Sequence, residues 1–329
     1  MNTSPVAVLI AAHNAQATIG AAVRSALQSP LVAEVILVSD GSTDATAQVA
    51  SQAAGPDERL RVLELPRNFG PAEARNRGIS MARAEFVALL DADDEILPGR
   101  FEALLARRDW DLAADNILFA SDPLAPLPSW ALVPEGPPAF DVLTLAEFVR
   151  GNLTQPGRPR GELGFLKPVI SRAFMDRAGL RYDPRLRLGE DYDFYVRAFL
   201  AGGRFLLTRR PGYLAHVRLN SLSARHSTTD LGALAEALRG HLATRGLGHK
   251  ERHAMRSVLR QVAQRHALRA ALDAKARGGV QGAIRTLLAH PLQITGVVAD
   301  VVRDKLSWGQ VKPSPQSPFR LLLPDSRGR

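Results

Sequence analysis

Phe86-Val87-Ala88-Leu89-Leu90-Asp91-Ala92-Asp93-Asp94 carries the decisive pattern, an unbroken apolar run that ends in three carboxylates within four positions. A short apolar run bounded by polar residues reads as a buried strand. Like charges crowded at the end of such a strand repel one another unless a cation or solvent relieves them. Mg²⁺ or Mn²⁺ would do so, because both take hard oxygen ligands and commonly rest on one or two carboxylates plus ligand phosphates. The competing reading is a solvated acidic turn ahead of Pro98.

Working outward toward the N-terminus, strand and helix patterns alternate. Strands are expected at Val6 to Ala12, Glu34 to Ser39 and Leu60 to Leu65. Between them lie a helix from Ala17 to Leu27, with Ile19, Val23 and Leu27 on one face, and another opened by Thr43 and running toward Ala54. Pro71 starts a third helix through Met81, as a favoured first-turn proline. This order predicts an α/β fold with a parallel sheet covered by helices. Ligands of such sheets bind beyond the carboxyl ends of the strands. Three further polar clusters are therefore candidates: Ala12-His13-Asn14, Ser39-Asp40-Gly41-Ser42-Thr43-Asp44, and Gly189-Glu190-Asp191-Tyr192-Asp193 at a later helix start. Each has a plainer reading, a turn with a helix cap for the second and acids favoured by the helix dipole for the third.

Toward the C-terminus, a strand is expected over Asp111 to Phe119, a proline-dense loop over Ser121 to Pro138, and a helix from Leu143 to Arg150. A Gly/Pro/Arg-rich segment fills 151–161, a helix begins near Gly189, and a strand with a polar turn lies in Arg204 to Ser223. Beyond Thr229 the pattern is helical and ends in a loose tail marked by Pro313, Pro315 and Pro318. The expected division is thus 1–229, with a first half to about 120 for nucleotide and a second half of 121–229 for acceptor, followed by a helical extension of 230–329. The net charge of +9 lies in that extension, which carries 17 Lys+Arg against 7 Asp+Glu, while 1–229 carries 25 against 26. Such a basic excess could meet nucleic acid, but it lacks interleaved aromatics or a finger spacing, so an anionic membrane surface suits it at least as well, and the charge alone does not choose. With no cysteine, any metal must be held by oxygen or imidazole. Polar interruptions of Ile284 to Leu306 argue against a membrane span, and the N-terminus lacks a basic leader, so cytoplasmic residence is expected, peripheral to the inner face of the plasma membrane.

Taken in order, Val8 to Asn14, Val38 to Asp44, Gly70-Pro71-Ala72-Glu73-Ala74-Arg75-Asn76-Arg77-Gly78, Leu90 to Asp94 and Gly189-Glu190-Asp191 resemble the family 2 glycosyltransferases with a GT-A fold, over about residues 5 to 223. Within that family the chain is most similar to bacterial exopolysaccharide enzymes of the succinoglycan glucosyltransferase type. The resemblance implies a GT-A nucleotide-diphospho-sugar transferase fold, a Rossmann-like mixed sheet flanked by helices, with the C-terminal helical extension appended. It implies a UDP-sugar donor, with Ala11, His13 and Asn14 walling the nucleotide and Asp40 meeting the uracil edge. His13 stands where the family often has tyrosine. Arg75 and Asn76 would lie near the nucleotide or shape the loop that carries it, against the plainer reading of a helical surface pair, and Ala92 would lie along the donor. Asp91 and Asp93 match the DXD pair, in which Asp93 ligates Mn²⁺ or Mg²⁺ and Asp91 approaches the ribose or the metal.

Glu190-Asp191 matches the family's acidic pair, with Asp191 as the base. An acceptor hydroxyl holds its proton near neutral pH, so a positioned carboxylate must take it as the oxygen attacks the anomeric carbon. Attack opposite the leaving group inverts that centre. The resemblance further implies glucose as the sugar and a polyprenyl-diphosphate-linked saccharide as acceptor. Lys167, His216 and Arg218 are additional candidates for acceptor or phosphate contacts, and Asn220-Ser221-Leu222-Ser223 is similar to a family loop near the diphosphate. Two other classes compete. A sugar-nucleotide nucleotidyltransferase would want a glycine-rich basic loop after the first strand, which Ala11 to Ala17 does not provide. A non-catalytic membrane-recruited scaffold would not need its acidic positions intact.

Overall fold

The computed structural model describes residues 5–132, 136–154, 163–217, 227–289, 293–294, 296 and 317–323. These form two compact units: Met1–Thr144 with Glu162–Leu219 and Ser317–Arg329, and Leu145–Gly161 with Asn220–Gln316.

In the first unit, β1 (Val6–Ala12), β2 (Val32–Asp40), β3 (Leu60–Leu65) and β4 (Phe86–Asp91) are parallel in the order β3-β2-β1-β4. Their apolar side chains are buried because α1 (Ile19–Leu27), α2 (Thr46–Ala54) and α3 (Pro71–Met81) lie against them. Gly78 allows α3 to approach closely, since a Cβ there would fall 1.9 Å from Leu9 Cδ1. The chain leaves β1 toward β2 on one side and adds β4 on the other. The switch point between β1 and β4, where Ala11 pairs with Asp91, opens the crevice at the carboxyl ends.

Beyond β4 the sheet becomes mixed. The short β8 (Val169–Ser171) runs antiparallel between β4 and β6 (Leu112–Ala120), and β9 (Phe205–His216) follows parallel to β6. β5 (Glu95–Ile96), β7 (Phe140–Leu143) and β10 (Phe319–Leu321) add antiparallel pairs. The expected proline-dense loop holds a single helical turn, α5 (Ser129–Leu132). Three further helices lie in this unit: α4 (Arg100–Leu104), α7 (Arg172–Arg177) and α8 (Glu190–Leu200).

The second unit consists of α6 (Leu145–Arg150), α9 (Thr228–Leu242) and α10 (His249–Leu288) among the described residues. A Ser227–Asp230 capping box starts α9, and α10 breaks at Gly278 and Gly279, the latter with φ +64°. No helix among the described residues is long and apolar enough to cross a membrane. The division differs from a single cut after Thr229 in two places. Residues 145–154 belong with the helices, because α6 buries Ala146, Phe148 and Val149 and packs on α10. The tail returns to the sheet, where Asn116 Nδ2 donates to Leu323 O and Leu323 N–H donates to Asn116 Oδ1, both at 2.8 Å. Pro313 and Pro315 lie outside the described residues, as do Arg218, Asn220 to Ser223 and the stretch beyond residue 296 toward Leu306.

Candidate active site

The ends of β1 and β2 form a polar rim. Asn14 adopts φ +50°, a conformation that asparagine tolerates better than most residues. Its Oδ1 accepts from Thr43 N–H at 2.8 Å, tying the two loops together. His13 Nδ1 donates to Asp40 O at 2.8 Å, and Asn14 Nδ2 donates to His13 Nε2 at 3.3 Å. A carbonyl can only accept, so Nδ1 carries a hydrogen in this arrangement. Asp40 is buried, and its two oxygens accept the N–H groups of Phe69 and Gly70, each at 2.8 Å. It thereby fixes the backbone that enters α3.

From α3, Arg75 reaches inward. Its Nη2 donates to Asp91 Oδ1 at 3.1 Å, while Nη1 donates to Glu190 Oε1 at 2.8 Å and lies 3.2 Å from Asp191 Oδ1. Lys167 Nζ stands 2.9 Å from both Asp91 Oδ2 and Asp191 Oδ2. Tyr182 completes the cluster by donating its hydroxyl to Asp191 Oδ1 at 3.0 Å. Three carboxylates and two cations thus meet in one lattice, in which Arg75, Lys167 and Asp191 are buried and Asp91 and Glu190 half-buried. Burial alone would raise the Asp91 carboxyl, but Lys167 and Arg75 outweigh it and hold the group at about 2. Burial likewise disfavours the Lys167 ammonium, yet Asp191 and Asp91 raise its pKa above the ordinary lysine value.

Next along the acidic turn, Asp94 is buried and accepts from Tyr213 Oη at 2.9 Å and from His216 N–H at 3.0 Å. Tyr213 Oη also accepts from Asp91 N–H at 3.0 Å, so one hydroxyl spans the turn. Asp93 is half-buried, and Ala92 packs into the core. Both Asp91 oxygens are engaged by cations, Oδ1 by Arg75 and Oδ2 by Lys167. No group of three or more His, Asp or Glu among the described residues is arranged to hold an ion unaided.

The sequence candidates are therefore distributed unevenly. Arg75, Asp91, Glu190 and Asp191 converge directly, and Lys167 joins them as a partner of carboxylates. Asn76 clamps the segment ahead of α8: its Nδ2 donates to Tyr182 O at 2.9 Å and its Oδ1 accepts from Tyr182 N–H at 2.8 Å. His216 pairs through Nε2 with Glu95 Oε1 at 3.0 Å. Tyr182 and Tyr213 were missed, because a lone tyrosine in an apolar context carries no sequence signal until its hydroxyl partner is known.

A model of Glycosyl transferase family 2 matches residues 7–123. Over 300 residues the chain is 41% identical to the succinoglycan biosynthesis protein ExoU of Rhizobium meliloti (strain 1021), covering 91% of this chain and 87% of that one. The succinoglycan biosynthesis protein ExoO of the same organism is 32% identical over 307 residues, covering 88% and 82%. Among solved structures, the 1–349 segment of S. aureus TarS in complex with UDP-GlcNAc superposes with a TM-score of 0.63 at 17% identity, covering 96% of this chain and 98% of that one. At that identity the likeness establishes the fold. The mixed sheet, with its acidic crevice at the switch point, has the GT-A architecture of nucleotide-diphospho-sugar transferases. The chain belongs to glycosyl transferase family 2 and is a glycosyltransferase.

Proposed function

We propose that the enzyme moves a sugar, glucose in this reading, from a UDP-sugar to a hydroxyl of a polyprenyl-diphosphate-linked saccharide in exopolysaccharide biosynthesis. The observation that carries this is the meeting of Asp91 with Glu190-Asp191 through Arg75 and Lys167, which puts a donor-binding turn and a candidate base in one cluster. The names of ExoU and ExoO support the pathway, and the UDP-GlcNAc complex of TarS supports a uridine-diphosphate donor. Asp191 takes the proton of the acceptor hydroxyl as its oxygen bonds to the anomeric carbon and the bond to UDP breaks, with inversion. Asp93 would hold Mn²⁺ or Mg²⁺, and the ion would offset charge on the departing diphosphate. His13, Asn14, Ala11 and Asp40 border the nucleotide.

Attachment to an anionic membrane is part of the same reading. Val280, Ile284 and Leu288 are 63%, 52% and 66% exposed on one face after the Gly278-Gly279 break, beside Arg277 and Arg285. Replacing Val280, Ile284 and Leu288 with serine should abolish pelleting with anionic liposomes, and undiminished pelleting would reject the attachment. For the chemistry, UDP release is measured from UDP-glucose, UDP-galactose and UDP-GlcNAc with Mn²⁺, Mg²⁺ or EDTA. Metal-dependent release from UDP-glucose is expected, abolished in Asp191→Asn with UDP binding retained, while Asp93→Ala should weaken Mn²⁺-dependent UDP binding. Comparable rates for Asp191→Asn remove it from the role. Pyrophosphate release from UTP and a sugar 1-phosphate would instead mark a nucleotidyltransferase.

A further inference from the structure

Lys167 is a buried ammonium with two equal carboxylate neighbours, and its backbone is as firmly held as its side chain. Arg100 donates from Nη2 to Lys167 O, and Arg100 is itself locked by Asp115, with Nε to Oδ2 at 2.8 Å and Nη2 to Oδ1 at 3.1 Å. One residue earlier, Leu166 O accepts from Tyr195 Oη at 2.8 Å. Tyr195 lies one turn after Asp191 on α8, so the helix that carries Asp191 also fixes the segment that carries its cation.

The partners of Asp191 are unevenly divided between its two oxygens. Oδ1 faces both the Tyr182 hydroxyl at 3.0 Å and Arg75 Nη1 at 3.2 Å, whereas among the described residues Oδ2 has Lys167 Nζ at 2.9 Å as its one partner. A carboxylate oxygen offers about two lone-pair sites. Oδ2 therefore keeps one site open, and its direction is set by the ammonium on the same atom. We infer that Lys167 is a positioning residue that aims Asp191 Oδ2 at the acceptor hydroxyl and, through Asp91, couples that aim to the donor turn. This rests on Asp191 being the base, as proposed above. Proton transfer goes from the acceptor hydroxyl to Oδ2 while Lys167 keeps its own protons, so the ammonium orients the base and takes no part in the bond changes.

The test measures kcat and donor KM for UDP release from UDP-glucose, UDP-galactose and UDP-GlcNAc, with water as acceptor and Mn²⁺ present. Lys167→Met should lower kcat about 100-fold, the scale of a misplaced catalytic group, with the donor KM within about threefold of wild type. Lys167→Arg, which keeps a cation there, should recover at least about tenfold of the loss. Lys167→Gln fills the same space with a neutral donor and is carried in parallel, so that a folding defect in the methionine variant does not decide the outcome. Wild-type kcat in both neutral variants overturns the inference, as does a loss confined to donor KM. Asp191→Asn in the same assay separates the two ideas. If it still turns over, the base assignment falls; if it is dead while both neutral Lys167 variants run at full rate, only the role of Lys167 falls.

Discussion

Arg75 and Glu190, 115 residues apart in the chain, meet at 2.8 Å in an ion pair, and the same guanidinium reaches Asp91 and Asp191. One planar fork serving three carboxylates is a task that lysine's single ammonium cannot copy. Arg75→Met would leave Asp91 and Asp191 with Lys167 as their cation and Glu190 with none among the contacts described, and removing one partner of a buried pair costs about 3–5 kcal/mol. We expect Arg75→Met to lose about 3 kcal/mol of stability in urea unfolding and all transfer activity. Arg75→Lys should recover part of the stability and little activity. A methionine variant as stable as wild type would refute the lattice.

The buried Asp94 gives stability a pH dependence of definite sign. Burial, and then the charges of Asp91 and Asp93, push its carboxyl up to about 7 from 3.8. The folded state therefore holds a proton that the unfolded chain gives up. The stabilisation is complete below about pH 4 and lost as pH rises through about 7. Asp91 acts oppositely: held at about 2, its contribution stands above 3.8 and fades only as pH falls below that value. Between about pH 5 and 8 the Asp94 effect thus stands apart from that of Asp91. In EDTA, the unfolding free energy should decline across this window by an amount on the order of 2 kcal/mol, and Asp94→Asn, which cannot ionise, should flatten the decline. An unchanged slope in the variant would assign the titration elsewhere.

Tyr213 ties the two halves of the acidic turn, accepting from Asp91 N–H and donating to Asp94. Tyr213→Phe removes both bonds from a fully buried position, leaving an N–H and a carboxyl short of a partner, at a cost of about 1–3 kcal/mol. The turn carries Asp93, so the variant should also weaken Mn²⁺-dependent UDP binding several-fold, read by calorimetry. Unaltered affinity would show that the turn holds its shape without the hydroxyl.

What the sequence made legible follows from how far each signal reaches. The runs at Val6, Val32, Leu60 and Phe86 are long enough to identify the parallel strands, and their polar ends mark the crevice because strand ends and loops are adjacent in sequence. β5, β7 and β8 hold only two to four residues each, too few to display a period, and owe their existence to neighbours already in the sheet. Asp91, Glu190 and Asp191 stood out as carboxylates following apolar or glycine-marked boundaries. Lys167 was noticed only as a cation awaiting an anion, because its partners lie 76 positions before and 24 positions after it. The partner of Asn76 is hidden for the same reason: its amide clamps Tyr182, 106 residues away.

Gly41 has a requirement that local sequence does suggest and tertiary packing sharpens. Its φ of +61° favours glycine, and a Cβ there would lie 2.3 Å from the carbonyl carbon of Arg67 and 2.4 Å from the nitrogen of Asn68. Backbone cannot swing aside as a side-chain tip would, so the strain must shift one of the two loops. Gly41→Ala should cost about 2–3 kcal/mol in urea unfolding. The displaced loop is the one whose Phe69 and Gly70 N–H groups hold Asp40, so UDP affinity should fall with stability. An alanine variant that unfolds earlier but binds UDP at wild-type affinity would separate Asp40 from the nucleotide. Loss of both would link the positive-φ turn, the buried aspartate and donor binding in one mechanical unit.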